Sequence, residues 1–198
     1  MSNLYVISGC NGAGKTTASL SILPEILDCH EFVNADMIAY GLSPLNVSGV
    51  AMQAGRIMLQ RIKDLMNENK DFAFETTLAT RSYVNLIAEA RAKNYKISLL
   101  FFWLYSPEQA KERVAQRVLN GGHNIEDEVV ERRYHRGIKN FFELYSPICD
   151  HWILIDNSNF NAEIIAQGGQ KLKEKIILPK AYNKVKSQQD ERSLKTKI

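Results

Sequence analysis

The stretch VISGCNGAGKTTAS (residues 6–19) decides the fold. Gly9 through Thr16 satisfies G-x-x-x-x-G-K-[ST] in full. The context is the one this motif requires, a strand before and a helix after. The apolar, β-rich LYVIS (4–8) precedes it, and the apolar-periodic KTTASLSILPEIL (15–27) follows, with Pro24 near its end. Glycines let backbone N–H groups converge on phosphate oxygens without side-chain obstruction. The start of the following helix adds partial positive charge. The cradle is therefore assigned to Gly9, Asn11, Gly12, Ala13, Gly14, Lys15, Thr16 and Thr17. Lys15 is expected to reach the β- and γ-phosphates of ATP, and the Thr16 hydroxyl to ligate Mg²⁺. Cys10 lies inside the loop as a small filler or as a point where alkylation blocks the nucleotide.

Outward from the cradle, short apolar strands alternate with helical patterns. EFVNAD (31–36), DFAFET (71–76), ISLLFFWLY (97–105) and HWILID (151–156) read as strands, and AEIIAQ (162–167) as a sixth. Helical spacing covers 50–67, 80–94, the segment from Ser106 to Asn120, and the segment from Ile125 to Tyr145. This alternation predicts an α/β three-layer sandwich, a P-loop NTPase with a central parallel sheet of about five or six strands. The nearly continuous apolar strands agree, since both faces of such a sheet are buried. Ligands then collect at the carboxyl ends of the strands.

The 198 residues, 45% of them hydrophobic, suffice for one substantial domain, placed at 1–178. The net charge of +3 is concentrated in the last residues, where 180–198 carry six cations against two anions. Residues 179–198 therefore read as a basic polar tail, solvated or, on the alternative reading, a nucleic-acid arm. Three widely spaced cysteines form no zinc or disulfide pattern, which fits a reducing cytoplasm. No signal peptide pattern precedes the first strand, and the nine apolar residues at 97–105 are too few to span a bilayer as a helix.

Three P-loop chemistries were compared. A switch GTPase needs N-K-x-D, which IDNS (155–158) does not supply. AQGGQ (166–170) resembles an ABC signature, but KIILPK (175–180) carries no acidic pair after it. A small phosphotransferase remains. Its acceptor hydroxyl needs a base, and Asp36 after the second strand suits that role; its alternative is a helix cap. Glu75, Thr76 and Thr77 follow at the end of the third strand, as substrate contacts or as an acid behind Mg²⁺. The fourth strand, FFWLYSP, ends without an acid, so Asp36 or Glu75 must stand in for one.

Transferring phosphate calls for arginines. Arg113 and Arg117 share one side of a helix, with Arg117 nearer the Val114–Val118 stripe. In the next helix Val130, Tyr134, Ile138, Phe141 and Tyr145 form one face. Arg133 flanks that face, whereas Arg132 and Arg136 point mostly away. Arg117 and Arg133 are thus ranked first as catalytic arginines. Gly121-Gly122 between the two helices suggests the hinge of a helical lid around 117–136, with His123 as a structural contact.

The P-loop, VNADMIAYGLSP (33–44), FAFETTLA (72–79), RVLNGGHNI (117–125) with ERRY (131–134), and DNS (156–158) together resemble the zeta-toxin-like P-loop kinases over about residues 3–170. The resemblance implies a shikimate-kinase-like core and helical lid that transfer the γ-phosphate of ATP to a hydroxyl. In that family the acceptor is the 3′-hydroxyl of UDP-N-acetylglucosamine, and a small antitoxin holds the enzyme inactive. Carried over by motif, Lys15 and Thr16 bind phosphate and Mg²⁺, and Asp36 is the general base. Glu75 lies at the substrate cleft, and Arg117 with Arg133 clamps phosphates. The chain departs from the toxin prototypes in opening directly at its first strand. Two alternatives stand beside this reading: a polynucleotide or antibiotic-type kinase, supported only by the basic tail, and a nucleotide-gated binding module without acceptor chemistry.

Overall fold

A computed structural model of the chain describes residues 1–189. Its centre is a seven-stranded sheet in the order β2-β3-β1-β4-β5-β6-β7. The first five strands are β1 (Asn3–Gly9), β2 (Phe32–Val33), β3 (Phe72–Thr76), β4 (Lys96–Trp103) and β5 (His151–Asp156). They pair in parallel. β6 (Glu163–Gly169) and β7 (Leu172–Ile176) add an antiparallel edge. The architecture is the expected α/β sandwich, extended by one strand beyond the sixth. The Gly168-Gly169 pair that mimics an ABC signature lies at the β6–β7 hairpin, where a Cβ on Gly169 would overlap Asp150 O.

The buried strands explain the layering. β1 and β3 are buried along nearly their whole length, and β4 from Leu99 to Trp103. Helices α1 (Lys15–Glu25), α2 (Ala35–Leu42), α3 (Ala51–Asn67), α4 (Tyr83–Ala92), α5 (Pro107–Leu119) and α6 (Asp127–Asn140) cover the sheet. β1 sits between β3 and β4. The chain winds to one side of β1 for β2 and β3 and to the other for β4 and β5. The carboxyl end of β1 is thus the switch point at which such sheets bind ligands.

Local capping moves two boundaries. β2 stops at Val33 rather than running to Asp36, because Asn34 caps α2: its Oδ1 accepts from Asp36 N at 2.8 Å and Met37 N at 3.2 Å. Asp36 therefore stands in the first helical turn and not at a strand end. β4 stops at Trp103, and Ser106 caps α5 with Pro107 in its first turn.

The expectation of a solvated tail from residue 179 is corrected. Residues Pro179–Ser187 form a helix, α7, with Tyr182 and Val185 buried and Tyr182 donating to Glu174 Oε2 at 2.9 Å. Two of its three cations sit on rings: Lys184 over Tyr105, and Lys186 over Tyr182 and Phe142. A count of charge conceals the apolar spacing of Tyr182 and Val185, which are three apart on one face. The tail residues Asp190, Glu191, Arg192, Lys195 and Lys197 lie outside the described residues. Among the described residues no helix is long and apolar enough to cross a membrane.

Deleting a buried aromatic leaves a cavity, so Tyr182→Ala should lower unfolding free energy by about 3 kcal/mol. Urea denaturation checks this; a loss below about 0.5 kcal/mol, the size of an exposed substitution, would return α7 to the solvated tail.

Candidate functional site

The cradle is built against its neighbours on every side. Gly9, at φ 139°, brings the turn so close to β4 that a Cβ would overlap Phe102 O. Gly14, at φ 77°, faces Asn157, whose Nδ2 would stand 2.6 Å from an added Cβ and instead donates to Ala13 O at 2.8 Å. Asn157 itself is tied by its backbone to Trp103 O. Arg113 and Gln109 of α5 both donate to Ser158 O, at 2.9 and 2.8 Å, and so fix the 157–159 loop beside the cradle.

Lys15 and Thr16 converge on one carboxylate. Lys15 Nζ lies 3.5 Å from Glu75 Oε1 and donates to Cys10 O at 2.9 Å. Thr16 Oγ1 donates to Glu75 Oε2 at 2.7 Å, and Asn34 Nδ2 donates to the same oxygen at 2.8 Å. The register of β1 with β3 dictates this: Ile7 pairs with Glu75 and Ser8 with Thr76, so Glu75 arrives beside the cradle. The acid beside Thr16 thus comes from β3, where β4 ends without one. Asp156, at the end of β5, accepts from Ser158 N.

A cleft of about 400 Å³ opens over this cluster. It brings together the predicted residues Asn11, Lys15, Asp36, Glu75, Thr76, Thr77 and Arg133. Arg133 Nη1 donates to Asn11 Oδ1 at 3.1 Å. Burial lowers the Arg133 guanidinium below its ordinary value; Asp36 opposes that shift and Arg132 reinforces it. A partly buried cation beside a second cation gains from an arriving anion. Thr76 is buried and its hydroxyl accepts from Leu78 N, while Thr77 is half-buried. Leu78 is fully buried at φ 59°, an unfavourable conformation for a branched side chain, and its carbonyl accepts from Asn140 Nδ2. Thr17 is exposed in the first turn of α1.

Arg117 is placed elsewhere. It donates from Nη2 to His123 O at 3.1 Å, and its buried Nε has no partner among the described residues. Its alkyl stem lies against Gly122, where a Cβ would come within 2.6 Å of Arg117 Cγ. Arg132 and Arg136, expected to point away from the apolar face of α6, do so and line the cleft. α6 buries Val130, Tyr134, His135, Gly137 and Ile138, and its side opposite the apolar stripe faces the cleft.

Sequence reasoning also missed Asn34, Tyr83, Thr80 and Asn157. Asn34 is 5% exposed and both caps α2 and holds Glu75. The signal for it was present, since Asn ahead of a helical pattern is a strong N-cap. Tyr83 and Thr80 line the cleft, and burial raises the Tyr83 phenol above its ordinary value, with a Thr76 hydrogen bond opposing. No sequence signal marks either.

The donor set accommodates Mg²⁺ in one form. Among the described residues no cluster of three His, Cys, Asp or Glu side chains could cage a metal. The Thr16 hydroxyl with the Glu75 carboxylate behind it suits an ion held mainly by phosphate oxygens and water, as Mg²⁺ prefers.

Comparison with known proteins accords with this geometry. The AAA domain family model matches residues 4–144, and the chain belongs to that family. An uncharacterized protein of Haemophilus influenzae is 26% identical over 126 residues, 64% of this chain and 88% of that protein. The crystal structure of AvrRxo1-ORF1:-ORF2 with ATP superposes with a TM-score of 0.78 at 14% identity, over 96% of this chain. This chain spans 65% of the length of that one. The PezAT chromosomal toxin-antitoxin system of Streptococcus pneumoniae gives a TM-score of 0.60 at 16% identity, over 82% of this chain and 72% of that one. At these identities the likeness of the solved structures is one of fold.

Burial pushes the Cys10 thiol up to about 11, with Lys15 opposing, and Cys29 and Cys149 to about 11 and about 12. The thiolate is the nucleophile, so at pH 8 only about one Cys10 in a thousand is reactive. Iodoacetamide at pH 8 should leave all three cysteines unmodified in the folded protein, as read by peptide mass mapping. Rapid labelling of Cys10 would show that the cradle opens.

Proposed function

We propose that this member of the AAA domain family is an ATP-dependent phosphotransferase that moves the γ-phosphate to a hydroxyl of a small molecule. One observation carries the reading: the cradle lysine, Lys15, and Asp36 line the same cleft as three arginines, Arg132, Arg133 and Arg136. A phosphate held by Lys15 and the loop amides would meet an acceptor hydroxyl on the Asp36 side. Asp36 is exposed to the cleft and fixed by the α2 cap, which suits a base that must accept a proton from an incoming hydroxyl. The arginines would offset the charge that spreads over the transferring group. Glu75, Thr76, Thr77 and Tyr83 would border the acceptor.

Mg²⁺, when bound, neutralises charge on the β- and γ-oxygens; Thr16 would hold it, with Glu75 accepting from its water. Arg117 would join the phosphates only after leaving His123 O, as the end of α5 moves about Gly121-Gly122. Closure would exclude water and limit stray hydrolysis. We extend the proposal to a UDP-amino sugar as acceptor, a cytoplasmic setting and an antitoxin-type protein partner. The motif resemblance and the toxin-antitoxin fold neighbours support these finer points.

γ-Labelled ATP, Mg²⁺ and UDP-N-acetylglucosamine, with products resolved by mass, test the reading directly. A phosphorylated sugar nucleotide is expected; label only in inorganic phosphate would turn the search to other hydroxyl acceptors. Lys15→Ala should abolish nucleotide-dependent activity. Asp36→Asn should keep ATP binding and slow transfer by about 10²- to 10⁴-fold. Transfer by Asp36→Asn at the original rate would remove Asp36 as the base.

A further inference from the structure

The back of α6 is tied to the residue that follows α7. Gln188 engages every polar group of its side chain. Its Oε1 accepts from Trp103 Nε1 at 2.9 Å. The Tyr134 hydroxyl is shared between that oxygen, at 2.9 Å, and Leu104 O, at 2.6 Å. Gln188 Nε2 donates to Tyr105 O at 3.0 Å. The amide has one workable orientation, because an indole N–H only donates and must face the oxygen. The backbone takes part as well: His135 Nδ1 lies 2.9 Å from Gln188 O. A carbonyl only accepts, so Nδ1 carries the proton.

These partners belong to two walls of the site. Trp103, Leu104 and Tyr105 continue from β4, whose Phe102 carbonyl abuts Gly9 of the cradle. Tyr134 and His135 lie on α6, within the turn that carries Arg132, Arg133 and Arg136. The apolar contacts of Val130, Tyr134 and Ile138 resist separation of α6 from the sheet, but hydrophobic contact is non-directional and permits sliding and rotation. Hydrogen bonds have narrow distance and angle limits and do not. A shift of about 1 Å along α6, less than the rise of one residue, would carry Arg133 out of bonding range of Asn11.

We propose that Gln188 is a positioning residue: its clasp between β4 and α6 fixes the lid helix so that Arg133 meets the phosphates over the cradle. The inference rests on the reading of this cleft as an ATP site. It also divides the lid. α6 is held at its middle by Gln188 and at its end by Asn140 on Leu78 O, at 2.8 Å. Movement is left to the 120–126 connection and the end of α5, where Arg117 resides.

A double-mutant cycle on the full chain tests this, with MgATP binding measured by calorimetry for wild type, Gln188→Ala, Arg133→Ala and the double variant. Gln188→Ala should weaken ATP binding about five- to tenfold while Arg133 is present. It should weaken binding by less than about twofold once Arg133 is gone. Equal weakening in both backgrounds, as a purely structural role predicts, overturns the proposal, and so does no weakening in either. If Gln188→Ala fails to fold, Tyr134→Phe, which removes only the hydroxyl, takes its place and should show the same coupling to Arg133. The wild-type measurement stands apart from the cycle: failure of the unaltered chain to bind MgATP overturns the ATP reading itself, and the positioning role with it.

Discussion

The Glu75 carboxylate is the point on which the site depends. Its side chain is only 10% exposed, and Lys15, Thr16 and Asn34 all turn toward it. An anion so enclosed must be paired and hydrogen-bonded or its desolvation would be prohibitive. The partners come from two separate segments, the start of α1 and the β2–α2 junction, and meet on a carboxylate of β3. One carboxylate thus fixes the relative positions of the Lys15 ammonium, the Thr16 hydroxyl and the helix that bears Asp36. Removing it would leave Lys15 buried without a counter-charge, so its cost would exceed that of any one hydrogen bond.

A similar economy governs the other side of the cleft. The 77–80 loop is held by α6 and the turns beyond it. Asn140 donates to Leu78 O, Tyr145 donates to Thr80 O at 2.6 Å, and a Cβ on Gly137 would come within 2.7 Å of Thr77 O. The positive φ of Leu78 persists because these bonds over-determine it. The 77–80 loop and the arginine helix are therefore one packed unit, and the cradle is another, joined through β1, β3 and β4.

How much of this was legible follows from which interactions are local. The cradle is local: Gly9 to Thr16 carries its geometry in consecutive residues, and the sequence motif locates it without reference to anything else. The alternation of apolar strands with helical spacing is local too, and it leads to the right sheet class. The cap of Asn34 on α2 was within reach of the same reasoning, but NAD was read as a strand end. Glu75 beside Thr16 is not local; it follows from β1–β3 register, which one sequence does not state. The arginines are legible only in part for a related reason. A helical wheel separates apolar from polar sides and sets Arg132 and Arg136 opposite the apolar stripe, yet it cannot tell solvent from a cleft. Arg117 ranks high by its nearness to an apolar edge, whereas the fold seats its guanidinium on His123 O.

The lid can now be viewed as two parts with different physics. The part bearing Arg133 and Arg136 is anchored from behind by directional bonds to Gln188 and from its end by Asn140, and these protein bonds hold its arginines over the cleft. Preorganised charge costs no rearrangement when the phosphate comes. The Arg117 guanidinium bonds to the His123 carbonyl and its stem lies against Gly122, with Gly121 at φ 85° beside them. Its unpartnered Nε means that the resting position satisfies this guanidinium incompletely. An anion within reach would therefore find one cation fixed and waiting and another that improves its own bonding by moving. On the proposed reading of the cleft, closure would then draw its driving force from Arg117 rather than from a swing of the whole 117–136 segment.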